Sequence, residues 1–170
     1  MSISIIVAVT ANNAIGAGGD LLFHIADDLR RFKAVTMGHP VVMGRRTFQS
    51  LPKGPLPGRL NVVVSRTMPA PADGSYSVVR SLADAVALAS EAPGGEEVFI
   101  IGGGEIYRES LPMASKIYLT EIDATVENAD TFFPKLDDGE WAVVETSDTH
   151  TTSSGTPYRF VTLERKSERK

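Results

Sequence analysis

The 170-residue chain contains no cysteine. That excludes disulfides, thiolate nucleophiles and thiolate metal sites. Its histidines, His24, His39 and His150, are scattered without the spacing of a metal site. Long apolar runs are also lacking, and none approaches the roughly 18 residues that a membrane-spanning helix needs. The opening MSISIIVAVT has neither a basic flank nor a small-residue cleavage pattern, so it reads as a strand rather than a signal peptide. Positive charge is not in excess. A net charge of −4 argues against a partner bound by broad phosphate neutralisation, so any positive site must be local. There is no P-loop, no G-x-S-x-G, no internal repeat, no low-complexity tract and no interdomain linker. These absences suit a cytoplasmic protein that engages neither nucleic acid nor membrane.

What remains is ordinary for a soluble globular chain: 42% apolar and 22% charged residues. The length suits one domain with a substantial core, here 1–166, with the final SERK (167–170) expected to fray. Short β-branched runs recur at 4–9, 40–44, 61–65, 76–79, 98–102 and 116–122. Several are apolar at consecutive positions, as in strands buried on both faces of a parallel sheet. Helical patterns lie between them at 26–35, 45–50, 81–89 and 105–111, the third opening on Ser81 as N-cap with Asp84 three residues on. Alternating strands and helices imply βαβ units. WAVVETS and YRFVTLER, flanking the Thr/Ser/Gly loop 149–156, read as a closing hairpin.

Within HIADDLRRFK (24–33), helical phase separates two adjacent aspartates. At ~100° per residue, Ile25, Asp28, Leu29, Phe32 and Val35 share one stripe. Asp27 falls off it, where Arg30 and Arg31 can pair with it at three- and four-residue spacing. Asp27 therefore reads as surface and Asp28 as a carboxylate facing apolar neighbours. On this segment alone, Asp28 can equally be a first-turn acid favoured by the helix dipole.

In α/β folds ligands gather at the carboxyl ends of the strands. Three ends here carry unusual chemistry. After VFII comes Gly102-Gly103-Gly104, then a helix opening with Glu105; glycines there let backbone approach a ligand, whereas a tight turn alone would need only one. As a dinucleotide fingerprint the stretch fails, because Tyr107 occupies the third small position, although Asp123 follows at about the right distance. The second end, Gly44-Arg45-Arg46-Thr47, joins two guanidinium groups and a hydroxyl at a helix start. The third offers Ser65 and Arg66. Any one of these arginines alone is an ordinary solvated charge. If the strands are neighbours, all three can surround one group carrying a pyrophosphate and an additional ribose phosphate.

Taken together, AIG (14–16), the helix with Asp28 and Phe32, VVMGRRTF, LPGR, VVVSR, IGGGEIY and YLTEID resemble the dihydrofolate reductase family in order and spacing across almost the whole chain. The resemblance implies an eight-stranded, mainly parallel sheet with an antiparallel C-terminal strand and about four flanking helices. It implies NADPH-dependent reduction of dihydrofolate by a monomer that antifolates inhibit. An adenosine-binding part would span about 39–96. By resemblance, Asp28 is the single buried acid, backed by Thr120, with Phe23 beside the substrate. Ile6, Ala8, Leu29, Phe32 and Leu51 line the folate pocket, and Arg59 clamps the carboxylate of the substrate's glutamate tail. Ala8 and Ile15 meet the nicotinamide, and Gly16 is a further cofactor residue. Gly44, Arg45, Arg46, Thr47, Ser50 and Ile101 through Tyr107 (Ile101, Gly102, Gly103, Gly104, Glu105, Ile106, Tyr107) surround the rest of the cofactor, with Ser65 and Arg66 at its 2′-phosphate. The family's cis peptide falls at Gly102–Gly103, and Asp130 matches an acid that steadies the N-terminal loop.

The chain departs from the family where many members have Pro-Trp and Asn-Leu-Pro and this one has Leu22-Phe23 and His24-Ile25-Ala26. Phe23 keeps a ring but has no N–H, and the glycine-rich NNAIGAGG (12–19) is expected to make a mobile lid with weaker grip on diaminopyrimidine inhibitors. A related pyrimidine reductase of riboflavin synthesis would need neither Asp28 on an apolar stripe nor Arg59. A non-catalytic NADPH sensor would be expected to have lost Asp28 or Thr120, and both are present.

Overall fold

A computed structural model describes residues 1–17, 20–21 and 25–166. The expectations for Leu22, Phe23, His24 and the 167–170 tail lie outside the described residues. In chain order the first strands are β1 (Ser2–Thr10), β2 (Ala14–Ala17) and β3 (Asp20–Leu21), followed by helix α1 (Ala26–Thr36). Then come β4 (Val41–Gly44), α2 (Arg45–Ser50), β5 (Asn61–Val64), β6 (Ser77–Val79) and α3 (Leu82–Ser90). The remainder is β7 (Glu97–Gly102), α4 (Gly104–Ser110), β8 (Lys116–Ile122), β9 (Thr131–Phe132), β10 (Trp141–Thr146), β11 (His150–Thr151) and β12 (Pro157–Arg165).

The main sheet runs β10-β12-β8-β1-β7-β4-β5-β6, with β11 hydrogen-bonded to β12 off that path. β1, β4, β5, β6, β7 and β8 pair in parallel, while β12 runs antiparallel to both β8 and β10. This is the expected eight-stranded, mainly parallel arrangement with four helices. Its central strands bury consecutive apolar residues on both faces: Val41, Val42 and Met43 in β4, and Val62 and Val63 in β5. α3 begins where the Ser81 hydroxyl accepts from the Asp84 N–H at 3.1 Å, and it buries Leu82, Ala85 and Ala89 on one stripe.

Two features were not legible as elements. β2, β3 and β9 form a separate three-stranded sheet that ties the N-terminal loop to residues 131–132. A two-residue strand has no periodicity to read. α1 also departs from its expected stripe: Ile25 and Thr36 are buried, but Leu29 is 52% exposed. Leu29 thus projects over the helix edge, away from the core packing that Phe32 and Val35 share. No side chain caps α1, whose start is held instead by the buried Ile25 and its carbonyl, which accepts from the Leu29 N–H.

Candidate active site

The register of three strands builds the centre of the site. β1 lies between β7 and β8; Ile6 is level with Tyr118 and Ala8 with Thr120. Thr120 is buried, and its hydroxyl donates to Asp28 Oδ1 at 2.5 Å across 92 residues of sequence. Burial pushes the Asp28 carboxyl above the usual carboxylate range, opposed by the Thr120 hydrogen bond and by the charge of Arg31. The floor is apolar: Ile6 is buried in a cluster against which Phe32 and Leu51 pack, so three of the expected pocket residues meet, and Ile101 of the expected cofactor set packs there too. Ala8 packs in the neighbouring cluster with Ile25, Ile122 and Tyr158.

Asp27 is more than a solvated surface acid. Its carboxylate pairs with Arg30 and also accepts the hydroxyl of buried Tyr158, at 2.6 Å. The expected second partner, Arg31, turns the other way. Its guanidinium lies 4.5 Å from the Phe160 ring centroid, and Nη1 donates to the Leu119 carbonyl at 3.4 Å. The cause is tertiary: β12 and β8 present a ring and a carbonyl on the inner side of α1, and Arg31 reaches them where Arg30 cannot.

On the other side of β1, two glycine turns face each other. A Cβ on Gly44 would lie 3.8 Å from the Gly103 nitrogen, and one on Gly102 would lie 3.2 Å from Thr47 Oγ1. Gly102 has φ +131 and is joined to Gly103 by the expected cis peptide bond. With β7, β4 and β5 adjacent, Gly102–Gly104, Gly44–Thr47 and Ser65–Thr67 converge at one edge. Arg45 Nη1 donates to Thr67 Oγ1 at 3.2 Å, which ties Arg45 to the turn that carries Arg66; both arginines are exposed, as are Arg46, Ser50 and Glu105.

Several of the expected cofactor residues are buried or bonded within the fold. Tyr107 is buried against Phe133, and its hydroxyl donates to the Ile6 carbonyl at 2.9 Å; burial pushes its pKa far up, so the phenol stays neutral. Ile106 and Ile15 are likewise buried. Ser65 is buried and its Oγ accepts the N–H groups of Met68 and Thr67, which leaves the hydroxyl proton as its outward donor. Gly16 lies in β2 beside β9. Asp130, next to β9, accepts the Thr131 hydroxyl at 2.9 Å.

Arg59 is half-buried, which lowers its pKa, and is held by Thr36 Oγ1 and the Pro57 carbonyl, each accepting at 2.9 Å. Among the described residues it has no ion pair. Two organising residues escaped the sequence reading. Buried Asn61 accepts the Leu56 N–H and donates to the Leu56 and Arg59 carbonyls, so it shapes the loop that carries Arg59. Arg80 Nη1 donates to the Ser65 and Met68 carbonyls at 2.9 and 2.7 Å and fixes the Ser65 turn. Neither belongs to a recognisable motif. A cavity of about 690 Å³, bounded by Leu119, Glu121, Trp141 and Arg159, is lined by none of the expected site residues. Among the described residues no helix is long and apolar enough to cross a membrane.

Comparison with known proteins agrees with this geometry. The sequence model of the family described as Dihydrofolate reductase matches residues 2–165. The chain is 49% identical over 167 residues to dihydrofolate reductase type 3 of Salmonella typhimurium, covering 97% of this chain and 99% of that protein. It is 43% identical over 161 residues to dihydrofolate reductase of Neisseria meningitidis serogroup A, covering 95% and 96% of the two chains. With the Bacillus subtilis dihydrofolate reductase the identity is 39% over 170 residues, covering 99% and 97%. An acid on an apolar floor, a glycine-walled crevice one strand away and relatedness over nearly the full length lead to one conclusion: the chain belongs to the dihydrofolate reductase family, whose reaction is the reduction of dihydrofolate.

Proposed function

We propose that the chain reduces 7,8-dihydrofolate to tetrahydrofolate with NADPH, acting as a monomer in the cytoplasm, and that Asp28 is its single working acid. One observation carries this reading. Asp28 and Thr120 sit beside β1 on one side and the Gly102–Gly104 turn ends β7 on the other, so an acid and a cofactor crevice flank Ile6–Ala8. Neighbouring strands are about 4.8 Å apart, so groups held over β8 and β7 meet above β1. The crevice suits a dinucleotide because glycines flank it: a Cβ at Gly102 would press on Thr47 Oγ1 at 3.2 Å, and Gly44 faces the Gly103 nitrogen. Thr47, Gly103 and Gly104 would hold the pyrophosphate, and Arg45, Arg66 and Ser65 the 2′-phosphate, within an adenosine-binding part spanning about 39–96. Both edges of the sheet discourage further pairing, since β6 is only three residues long and β10 is bulged between Val143 and Glu145.

When bound, the reduced nicotinamide supplies the hydride that ends on C6, while the C6=N5 double bond becomes single and N5 takes a proton. Asp28 hydrogen-bonds the amino-pyrimidine edge of the pterin and fixes its orientation; a diaminopyrimidine antifolate presents the same edge. Thr120 keeps the carboxylate in line. Ile6, Phe32 and Leu51 exclude water from the reacting face, and a water at the Asp28 edge delivers the proton to N5. Arg59 pairs with the substrate's tail carboxylate.

The direct test is turnover of NADPH and dihydrofolate by the purified chain. One NADPH consumed per dihydrofolate reduced is expected; a chain that binds NADPH yet leaves dihydrofolate unreduced would overturn the reading. A second expectation concerns Asn61. Asn61→Ala removes three hydrogen bonds to the 56–61 loop and costs about 1–3 kcal/mol of stability. Because that loop aims Arg59, the KM for dihydrofolate rises several-fold while kcat stays near native. Urea unfolding and steady-state kinetics check both halves, and a fall in kcat at unchanged KM would contradict the loop's role.

A further inference from the structure

Arg31 is a cation on α1, away from the strand ends that carry Arg45 and Arg66. It lies three residues after Asp28 on α1, close to one helical turn along the same side. It donates to the carbonyl of Leu119, the residue before Thr120, so Asp28 and Arg31 dock on consecutive positions of β8. The Phe160 ring at 4.5 Å and the Tyr118 ring at 5.8 Å hold its guanidinium as π-faces. The neighbouring cation cannot substitute, because Arg30 is committed to Asp27.

We propose that Arg31 is a positioning residue that holds Asp28 toward its ionised form and thereby sets the pH above which dihydrofolate reduction slows. This rests on the assignment of Asp28 as the working acid. The groups facing the pair come from each packed element. α1 supplies only Asp28 and Arg31; β8 supplies Thr120 and Tyr118; β10 supplies Glu145, whose charge acts on Arg31; α4 supplies Tyr107, whose hydroxyl is taken by the Ile6 carbonyl. Asp27, Arg30 and Tyr158 form a separate cluster. Of these groups, Arg31 is the cation that acts on Asp28, and burial already lowers its own pKa. Without its positive charge, Asp28 keeps the cost of burial and loses one of the two influences that oppose it. Its proton is then held to higher pH.

Three variants in the full chain test this. Arg31→Met keeps the stem over Phe160 without charge, Arg31→Gln is a second neutral variant in case the first folds poorly, and Arg31→Lys restores the charge. The readouts are the carbon-13 NMR titration of the Asp28 carboxyl in the free protein and the pH profile of single-turnover reduction with NADPH. For one partly solvated, salt-screened cation, the expected upward shift of both midpoints in Arg31→Met is roughly 0.5–1 pH unit. On the alkaline side this makes the neutral variant about three- to tenfold faster than the native protein, with equal rates on the acid plateau. Arg31→Lys should return both midpoints most of the way. Unchanged midpoints with rates scaled equally at all pH values would reduce Arg31 to a structural role and overturn the proposal. Separately, an Asp28→Asn variant with a native rate and profile would overturn the assignment of Asp28 itself.

Discussion

Asp28→Asn slows dihydrofolate reduction by about 10²–10⁴-fold near neutral pH, while Asp27→Asn stays within about threefold of the native rate. The two carboxylates are adjacent in sequence but differ in every contact. Asp28 is bonded by the buried Thr120 hydroxyl and set over the Ile6–Ala8 segment; Asp27 is held by Arg30 and by Tyr158 of β12. Asn at position 28 can still accept from Thr120 but carries no charge to bind the pterin's amino edge and cannot assist a proton toward N5. The deficit narrows as pH falls, because solvent then protonates N5 without help. Stability moves the opposite way. Burial raises the folded-state pKa of Asp28, so the folded protein binds more protons than the unfolded chain between the ordinary and the raised value. Stability therefore falls as pH rises through that window and stays lowered above it. Removing the charge raises the melting temperature at neutral pH and flattens this dependence. Single-turnover rates and thermal melts across pH check both; an Asp28→Asn variant that is both slower and less stable at neutral pH would contradict the burial argument.

Replacing Arg45 and Arg66 together with alanine lowers the preference for NADPH over NADH by about 100-fold. Each guanidinium–phosphate bond contributes on the order of 1.5–3 kcal/mol, toward the low end here because both side chains are exposed to solvent and salt. That is roughly tenfold per arginine, and the effects should multiply if the two act on different oxygens. The maximal rate with saturating NADPH stays near native, since the adenosine end lies far from the reacting carbon. The site survives as a cradle because Ser65 still offers its proton and Arg80 still fixes the turn through the Ser65 and Met68 carbonyls. The ratio of kcat/KM for the two cofactors, measured at two ionic strengths, decides the matter. An unchanged ratio would move the phosphate site elsewhere, and a ratio insensitive to salt would argue against exposed charges as its basis.

Local pattern carried much of this. Consecutive β-branched residues marked strands buried on both faces, and β4 and β5 are such strands. Ser81 announced the start of α3 because a cap acts within one turn. Helical phase separated Asp28 from Asp27, since 3.6 residues per turn is a property of the backbone. The three glycines and the paired arginines mark a ligand site because their composition is costly or idle without one.

The remainder depended on sheet order. Leu29 shares the apolar phase of Phe32 yet stands exposed, because phase sets direction and only the neighbouring element sets depth. Arg31 was paired with Asp27 on spacing; β8 and β12 offered it a carbonyl and an aromatic face instead, from residues about 90 or more positions away. Asn61 and Arg80 work by hydrogen-bonding carbonyls whose position only the folded loops define. The β2–β9 pairing is not visible because β9, two residues long, is made by its partner and not by its own pattern. The sequence by itself thus determined the elements, their buried faces and the chemistry available at each strand end. The tertiary structure alone decided which of those ends meet, because partnership across a sheet is chosen by register and topology, which no local repeat encodes.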